Sequence, residues 1–576
     1  MAIDFNVMAG GEAGQGVQSV GMILAETMAH GGLHVFADQD YESRVRGGHN
    51  FFRIRISDRE ILSLSEKLDI LIALNKETID LHSDELKSNG VIIYDQEQTK
   101  VDIQGEIYFN VPLLKLAEEK VKNKLMTNTV AVGAAIGLCS YDFNILSAVL
   151  KKEFIRHGDK IVEDNIIAAK AGFDFAIEYG ANKLAQKIQP ISSNNKRMLL
   201  HGNEAIALGA MVGGCKFIAG YPMTPATSIL EYIADKGRQY NAVAVHVEDE
   251  IAAMNMAVGA AYAGVRAMVA TSGGGFALMV EGLALAGMTE TPVVVVLGQR
   301  PGPATGLPTR TEQGELWFAL HAGHGEFPRA VLAPATAEDA FYATIKAFNL
   351  AEKYQTPVIV LTDHYLATSY ATVERFDLKQ MKIDRGELLS DGEVNNLTDY
   401  KRHLVTESGI SPRALPGQGN KALVVTDSDE HDEAGHLIED AETRNQQNLK
   451  RLRKQAALRT EIGEPRFLKV PDAKYILVGW GSTYGAIKEA SDALNSEGVA
   501  VNVLHLSEIW PFPAEAVASI LNNGTKSIAI EGNTTAQLAQ LIRRETGHVV
   551  NGSILKFDGR PLSAGEIVNR FKKEAL

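Results

Sequence analysis

The chain has 576 residues, a net charge of −14 and 45% hydrophobic residues. Because a single hydrophobic core seldom grows beyond about 250 to 300 residues, this length predicts about three domains. The acidic balance argues against non-specific binding of nucleic acid, which needs a basic surface. The longest aliphatic run, VVVVL, is far shorter than the about 20 residues that span a bilayer, so we expect no membrane association and a cytoplasmic protein.

The N-terminal segment opens with a short apolar strand, the glycine-rich turn GEAGQG and a helix. Glycines at such a turn let backbone N–H groups approach a phosphate at the positive end of the helix. The match to a dinucleotide fingerprint is partial, because Gly14 and Gly16 are followed by Ser19 where a third glycine is usual. Asp38 or Asp40 lies at about the expected distance of 20 residues. The pattern fits a nucleotide or phosphate site and a merely tight turn equally well.

Two arginines, Arg44 and Arg46, come just before Gly47 and Gly48. A guanidinium group binds phosphate through two parallel hydrogen bonds, so the cluster suits an anionic ligand. A solvated turn explains the pattern equally well.

Residues 198–380 alternate apolar runs with helical stretches rich in Ala, Gly and Met. The clearest runs are Ala242 to Val247, Val265 to Ala270 and Pro292 to Leu297. This alternation predicts a parallel sheet, whose strands end at an edge that commonly forms a site. The polar residues predicted at those ends are Tyr221, Thr224, Glu248, Asp249, Glu250, Thr271, Ser272, Arg300 and Arg310.

Several of these residues have both a functional and an ordinary interpretation. Prolines on both sides of Thr224 stiffen its loop and would hold its hydroxyl in one place. Glu250 precedes a helix, where a glutamate usually caps the helix or interacts with its dipole. Arg300 and Arg310 are both candidates to bind a carboxylate, and either could instead tie its loop to a subunit interface.

The turn TSGGGF needs its glycines for close approach of a ligand or a facing subunit, and we expect Ser272 to cap the following helix. Between residues 381 and 465 regular periodicity falls, and the acidic stretch DSDEHDEAGH and the basic helix after it are predicted to be solvated. Residues 466–576 predict three strands with intervening helices and a short tail. The two cysteines, Cys139 and Cys215, are too far apart in sequence to suggest a cluster motif and are expected to be buried thiols.

The motifs YPMTPAT, EDEIAA, TSGGGFALM and GQRPGPATGLPTRTEQG resemble those of the alpha subunits of 2-oxoacid:ferredoxin oxidoreductases. The N-terminal segment resembles the family's gamma domain, fused ahead of alpha. The resemblance implies a multidomain α/β fold. Its expected parts are a gamma domain (1–187), a thiamine diphosphate pyrimidine-binding domain with a parallel sheet (198–380), an irregular connecting segment (381–465) and a transketolase C-terminal-like domain (466–576).

The resemblance also implies roles for individual residues. Glu250 is expected to bond N1′ of the aminopyrimidine of thiamine diphosphate, with Glu248 as the competing assignment. The residues implied on the thiamine side are Pro222, Glu248, Thr271, Ser272 and Gly273. Those implied for the 2-oxoacid are Thr224, Tyr221, Arg300 and Arg310. Those implied on the coenzyme A side are Gly14, Gln15, Gly16, Arg44 and Arg46.

The implied reaction converts a 2-oxoacid, coenzyme A and two oxidised ferredoxins into an acyl-CoA, CO₂ and two reduced ferredoxins. The expected substrate is 2-oxoglutarate, with branched-chain or broad specificity as the alternative. The stretch SDGEVNN echoes a magnesium–diphosphate signature but lacks a preceding apolar strand. We therefore expect a beta subunit to carry Mg²⁺ and a [4Fe–4S] cluster in an (alpha–beta)₂ assembly. Two further hypotheses are an NAD(P)-binding dehydrogenase and a non-catalytic scaffold subunit.

Overall fold

The structure is a computed structural model that describes residues 3–42, 48–101, 103, 105–191, 197–379 and 381–574. The predicted arginine turn with Arg44 and Arg46 lies outside these residues. The chain divides into two compact units. The first comprises Met1–Leu200, Thr368–Phe376 and Ser563–Gly565, and the second comprises His201–Ala367, Asp377–Leu562 and Glu566–Leu576.

Strands are numbered in chain order over the described residues. They are β1 (Asp4–Glu12), β2 (His34–Asp40), β3 (His49–Ser57), β4 (Leu68–Ala73), β5 (Leu86–Tyr94), β6 (Tyr108–Asn110), β7 (Met198–His201), β8 (Phe217–Gly220), β9 (Val243–His246), β10 (Ala267–Thr271), β11 (Val293–Gln299), β12 (Ala330–Leu332), β13 (Pro357–Asp363), β14 (Tyr370–Val373), β15 (Arg466–Leu468), β16 (Tyr475–Trp480), β17 (Val501–Leu506), β18 (Glu508–Trp510), β19 (Lys526–Glu531) and β20 (Gly552–Leu555).

The α-helices are numbered in the same way. They are α1 (Val17–His30), α2 (Lys76–His82), α3 (Gln96–Thr99), α4 (Leu113–Val121), α5 (Thr127–Leu138), α6 (Phe143–Phe154), α7 (Asp159–Tyr179), α8 (Gly202–Val212), α9 (Thr227–Lys236), α10 (Glu250–Tyr262), α11 (Gly273–Met288), α12 (Leu316–His321), α13 (Ala337–Tyr354), α14 (His364–Thr368), α15 (Asp391–Asn396), α16 (Ala441–Thr460), α17 (Tyr484–Ser496), α18 (Ala514–Leu521), α19 (Gln537–Thr546) and α20 (Ala564–Glu574). None of the helices that the structure describes combines the length and apolarity that a membrane crossing requires.

The first unit is built on a mixed sheet with the strand order β6-β5-β4-β1-β3-β2-β14-β7. Strand β1 lies inside it, parallel to β4 and antiparallel to β3. Its residues from Phe5 to Gly11 are all buried, because the core includes residues of β1 and of α1, α5, α6 and α7. The glycine-rich turn follows β1 directly, so the sheet and α1 fix its position.

The second unit contains a sheet with the order β18-β12-β13-β11-β10-β8-β9, in which only the pair β12 and β18 is antiparallel among the described strands. Strand β11, the VVVVLGQ run, is buried along its whole length, as expected for a parallel strand covered on both faces. The three predicted runs form β9, β10 and β11, whose ends differ from the predicted ones by one or two residues. The predicted parallel sheet is confirmed.

A third sheet has the order β15-β17-β16-β19-β20 and also belongs to the second unit. The three predicted C-terminal strands are β16, β17 and β19. The predicted short tail is wrong, because the chain continues into β20 and α20. Strand β20 buries only Ile554, which leaves little periodic signal, whereas α20 does bury Ile567, Val568 and Phe571.

The connecting segment is not the solvated connection that its charges predict. Helix α16 buries Lys450 and Lys454, and both ammonium groups contact the buried carboxylate of Glu290. Burial alone would raise the pKa of Glu290, but the two lysines and a hydrogen bond with His403 hold it well below its ordinary value. The stretch SDGEVNN forms α15, which Ser390 caps through its hydroxyl group.

Candidate active site at the edge of the parallel sheet

Five neighbouring parallel strands, β13, β11, β10, β8 and β9, end at one edge of the large sheet of the second unit. The predicted site residues follow these ends along the chain. Tyr221, Pro222 and Thr224 come after β8, Glu248 and Glu250 come after β9, Thr271 ends β10 with Ser272 and Gly273 behind it, and Arg300 follows β11. The fold therefore brings groups from four separate segments to one edge.

Glu250 and Glu248 differ sharply in their surroundings. Helix α10 begins at Glu250, but Asp249 caps it, because its Oδ1 accepts a hydrogen bond of 2.7 Å from the backbone N–H of Ala252. The side chain of Glu250 is buried, and its Oε1 has no hydrogen-bond partner among the described residues. Glu248 is exposed. A buried carboxylate oxygen without a partner is costly, so Glu250 suits a ligand that donates a hydrogen bond.

The glycine turn after β10 presses against this carboxyl group. A Cβ atom on Gly275 would lie 2.0 Å from Thr271 Oγ1 and 2.7 Å from Glu250 Oε1. Ser272 stands at the N-cap position of α11, but the predicted cap is wrong, because its side chain makes no capping hydrogen bond. Its buried Oγ also lacks a partner within the described part of the chain. Two unpartnered polar atoms, Glu250 Oε1 and Ser272 Oγ, thus lie at a turn in which Gly275 leaves no room for a side chain.

Glu315 is a further acidic group at this turn, which the sequence analysis did not single out. A Cβ atom on Gly273 would lie 1.5 Å from Glu315 Oε1, and Oε2 is buried without a partner among the residues described. Burial raises the pKa of Glu315 to about 8 although the positive charge of Arg300 opposes the shift. The carboxyl group therefore holds a proton at neutral pH. Its position just before α12 gave only the ordinary signal of a helix start.

The two predicted arginines belong to one cluster with Thr224 and His364. Arg300 Nη1 donates a hydrogen bond of 2.8 Å to the backbone oxygen of Thr224. Burial, followed by the positive charges of Arg310 and Arg300, lowers the pKa of His364 to about 4, so this imidazole is neutral at physiological pH. Two cations beside one neutral imidazole form a positive site that suits an anionic substrate.

The C-terminal sheet holds the loop that carries these arginines. Gln313 Nε2 donates a hydrogen bond of 3.0 Å to the backbone oxygen of Trp480, and Gln313 Oε1 accepts one of 3.0 Å from the backbone N–H of Gly532. The backbone N–H of Gln313 donates to the oxygen of Gly532 at 2.6 Å. A glutamine in a polar loop gave no sequence signal of this role.

The glycine-rich turn of the first unit is closed by its own groups. Gly14 and Gly16 adopt left-handed φ angles of 93° and 76°. Gln15 Oε1 accepts a hydrogen bond of 2.7 Å from the backbone N–H of Glu12, and the N–H of Gln15 donates to the Glu12 oxygen at 3.0 Å. The N–H of Ala13 donates to the carbonyl just before β3. Three N–H groups near the turn are thus unavailable to a phosphate.

The environment of the Asp38 carboxylate differs from that expected of a carboxylate that binds a ribose. Its side chain accepts a hydrogen bond of 3.2 Å from Ser369 Oγ. Burial, with a smaller contribution from Asp40, raises the pKa of Asp38 to about 7. This environment, like the closed turn, speaks against the hypothesis of a dinucleotide-dependent dehydrogenase.

Comparison with known proteins agrees with this geometry. Family models match residues 6–175 (pyruvate ferredoxin/flavodoxin oxidoreductase), 208–450 (pyruvate flavodoxin/ferredoxin oxidoreductase, thiamine diphosphate-binding) and 473–567 (pyruvate:ferredoxin oxidoreductase core domain II). The 2-oxoacid:ferredoxin oxidoreductase subunit alpha of a Sulfolobus species is 35% identical, with 97% of this chain and 95% of the relative covered. The 2-oxoglutarate oxidoreductase subunit KorA of Mycobacterium tuberculosis is 31% identical, with 98% and 90% covered.

Among solved structures, the 2-oxoglutarate:ferredoxin oxidoreductase from Magnetococcus marinus superimposes with a TM-score of 0.92 at 32% identity, covering all of both chains. Fold and site together define an α/β oxidoreductase subunit with a thiamine diphosphate-binding domain. The chain belongs to the alpha subunits of the 2-oxoacid:ferredoxin oxidoreductases. The expected family and fold class are thereby confirmed.

Proposed function

We propose that this chain is the fused gamma–alpha subunit of a 2-oxoglutarate:ferredoxin oxidoreductase. The complex would convert 2-oxoglutarate, coenzyme A and two oxidised ferredoxins reversibly into succinyl-CoA, CO₂ and two reduced ferredoxins. Support comes from the name of the M. tuberculosis relative and from the M. marinus structure, whose bound molecules are 2-oxoglutarate, coenzyme A and succinyl-CoA. The observation that carries the proposal is that two arginines lie near His364 at the sheet edge that also carries Glu250, whose buried Oε1 has no partner among the described residues.

The residues at the glycine turn fit the aminopyrimidine of thiamine diphosphate. When bound, this cofactor supplies the electron sink for decarboxylation. Glu250 would hold N1′ through its unpartnered Oε1, and Ser272 Oγ offers a second polar partner. Thr271, Gly273 and Pro222 belong to the same side of the site in this proposal. The exposed Glu248 is the weaker candidate, because water already satisfies its carboxylate.

The arginine cluster fits a substrate with two carboxylates. We assign the C1 carboxylate of the substrate to Arg300 and the Thr224 loop. A hydrogen bond joins Arg300 to this loop. The distal carboxylate of 2-oxoglutarate is assigned to Arg310, next to the neutral imidazole of His364. Tyr221, which is exposed, stands at the rim of the site. A dicarboxylate offers one carboxylate to each of the two half-buried guanidinium groups, so the cluster favours a substrate with two carboxylates.

The site also needs a second polypeptide. Helices α10 and α11 are apolar on several faces, and they expose Ile251, Met256 and Leu278. Exposed apolar side chains around a site are typical of a surface that another subunit covers. Burial raises the pKa of both Cys139 and Cys215 to about 12, which disfavours the thiolates that an iron–sulfur cluster needs. A beta subunit would carry Mg²⁺ and the [4Fe–4S] cluster in an (alpha–beta)₂ assembly that reduces ferredoxin.

The test is reduction of a viologen dye by the purified complex, with coenzyme A, over a panel of 2-oxoacids. We expect the highest kcat/KM with 2-oxoglutarate. Replacing Arg310 by Gln should lower kcat/KM for 2-oxoglutarate about 10- to 100-fold, the range of a hydrogen bond to a charged group, and affect 2-oxobutyrate much less. Arg238→Gln, at an exposed arginine, is the matched control. An equal loss for both substrates would contradict the assignment, and NADH-dependent turnover without thiamine would favour a dehydrogenase.

A further inference from the structure

A chain of hydrogen-bonded side chains runs from His49, which lies near the glycine-rich turn of the first unit, to the half-buried Glu85. His49 Nε2 lies 2.9 Å from His82 Nε2. His82 Nδ1 lies 2.7 Å from Glu85 Oε1, and Arg53 Nη2 donates to Glu85 Oε2 at 2.5 Å. The two imidazole rings have centroids 5.0 Å apart, and His82 is buried. This order, carboxylate to imidazole to imidazole, is that of a proton relay.

With both imidazole rings neutral, the hydrogen bonds assign the nitrogen of each ring that carries the proton. Burial would raise the pKa of Glu85, but His82 and Arg53 lower it below its ordinary value, so the carboxylate is ionised and only accepts. His82 must then donate from Nδ1, which leaves a lone pair on its Nε2. His49 donates its own Nε2–H to that lone pair, so Nδ1 of His49 carries a lone pair. This buried Nδ1 has no hydrogen-bond partner among the residues that the structure describes.

The free nitrogen lies next to the glycine-rich turn of Gly14 and Gly16, which the family resemblance assigns to coenzyme A. His49 begins β3 and is paired in register with Glu12, the last residue of β1. A Cβ atom on Gly10 would lie 3.2 Å from Cε1 of His49, so the ring packs against the β1 backbone. Because three N–H groups near the turn are already bonded, a base here would act on the thiol end of a ligand rather than on its phosphates.

We infer that His49 accepts the proton of the coenzyme A thiol, with His82 and Glu85 as its positioning residues. This inference rests on the proposed function. The S–H bond breaks, sulfur keeps the electron pair as a thiolate, and the proton goes to Nδ1 of His49. The resulting imidazolium is stabilised through His82 by the negative charge of Glu85.

Among the groups of the proposed substrates, the thiol of coenzyme A is the one that needs a base. The carboxylates of a 2-oxoacid and the phosphates of coenzyme A are already ionised at neutral pH, whereas a thiol has an ordinary pKa of about 8.5 and reacts as its thiolate. A base is therefore needed only there.

The charged surroundings keep the ring ready to act as a base. Burial and the neighbouring His82 lower the pKa of His49, so its ring is unprotonated at neutral pH. Glu77 of α2, Asp40 of β2 and Glu42 face it and act in the opposite direction. They would stabilise the imidazolium once it forms.

The experiment compares His49→Gln with wild type in the purified complex, using viologen reduction at varied coenzyme A. His157→Gln, at an exposed histidine of the same unit, is the matched control. We expect His49→Gln to lower kcat/KM for coenzyme A about 100-fold at pH 7, the usual contribution of a general base. The defect should shrink towards pH 9, because the thiol then ionises without help. CO₂ release from labelled 2-oxoacid in a single turnover without coenzyme A should stay unchanged.

Glu85→Gln is a second test of the relay, because it removes the negative charge and leaves both imidazole rings in place. It should lower kcat/KM for coenzyme A about tenfold, again most strongly at pH 7. A wild-type value in His49→Gln, a loss that is constant from pH 7 to 9, or an equal loss of CO₂ release would overturn the relay. A wild-type complex whose turnover does not need coenzyme A would instead remove the proposed function on which the relay rests.

Discussion

Replacing Gly275 by alanine tests directly whether the glycine turn fixes the position of Glu250. The added Cβ would lie 2.0 Å from Thr271 Oγ1 and 2.7 Å from both Cγ and Oε1 of Glu250. Both residues are buried, so at least one must shift. Overpacking costs about 1–3 kcal/mol, and the better helix propensity of alanine recovers at most about 1 kcal/mol. We therefore expect a net loss of about 1–2 kcal/mol in the free energy of unfolding.

The expected loss of activity is larger than this loss of stability. A displacement of about 1 Å at a catalytic group costs about 100-fold in rate. Viologen reduction by the purified complex gives kcat, and urea unfolding of the chain gives the stability. Gly274→Ala is the matched control, because a Cβ on Gly274 meets nothing closer than the Ala304 oxygen at 3.9 Å. We expect it to keep its activity and to be slightly more stable than wild type.

Two results would refute this reasoning. Full turnover by Gly275→Ala would mean that the turn does not control where the Glu250 carboxylate lies. An equal loss of kcat in Gly274→Ala would mean that any side chain on the turn lowers activity, and that displacement of the Glu250 carboxylate is not the cause.

Three further substitutions test other groups of the second unit. Glu250→Gln should lower kcat of the complex at least about 100-fold while Glu248→Gln stays near wild type, and unchanged turnover in Glu250→Gln would support a scaffold subunit. Glu290→Gln leaves two buried ammonium groups without their anion and should cost about 3–5 kcal/mol in urea unfolding at pH 7, whereas the exposed Glu439→Gln should cost almost nothing. Because the folded pKa of Glu290 is depressed, its contribution is present above the ordinary carboxyl value and is lost as the pH falls below it. For Glu315 the sign is opposite: its pKa of about 8 lets the folded chain keep a proton that the unfolded chain releases, so wild-type stability falls as the pH rises from about 5 to 8. Glu315→Gln should show a smaller fall over that range.

Strand positions in the second unit follow from local pattern, and this is why the edge of the parallel sheet could be predicted. An apolar run such as that of β11 is stable only in a strand that is covered on both faces of the sheet. The polar residues that follow the run must then lie at the carboxyl end of the strand. The convergence of Thr224 with Arg300 could be predicted for the same reason, since both follow strands of one parallel sheet. Their direct hydrogen bond could not, because it depends on loop conformation.

The missed groups depend on contacts between distant segments. The sequence around Lys450 and Lys454 has the charge pattern of a solvated helix face. Their partner Glu290 lies 160 and 164 residues earlier in the chain. Glu315 lies in a polar loop, and only the structure shows that its carboxyl group packs against Gly273 with Oε2 buried. A periodicity analysis reports which faces are apolar and carries no information about a specific pairing across such distances.

The hydrogen bonds of Gln313 to the C-terminal sheet have a consequence for how substrate preference changes among related enzymes. The loop with both arginines is held by Trp480 and Gly532, which follow Gln313 by 167 and 219 residues in the chain. Replacements beneath the loop can therefore retune the spacing of the two guanidinium groups while every residue that touches substrate stays the same. Exchange of the C-terminal segment between two members of the family would transfer part of their choice between short and long 2-oxoacids.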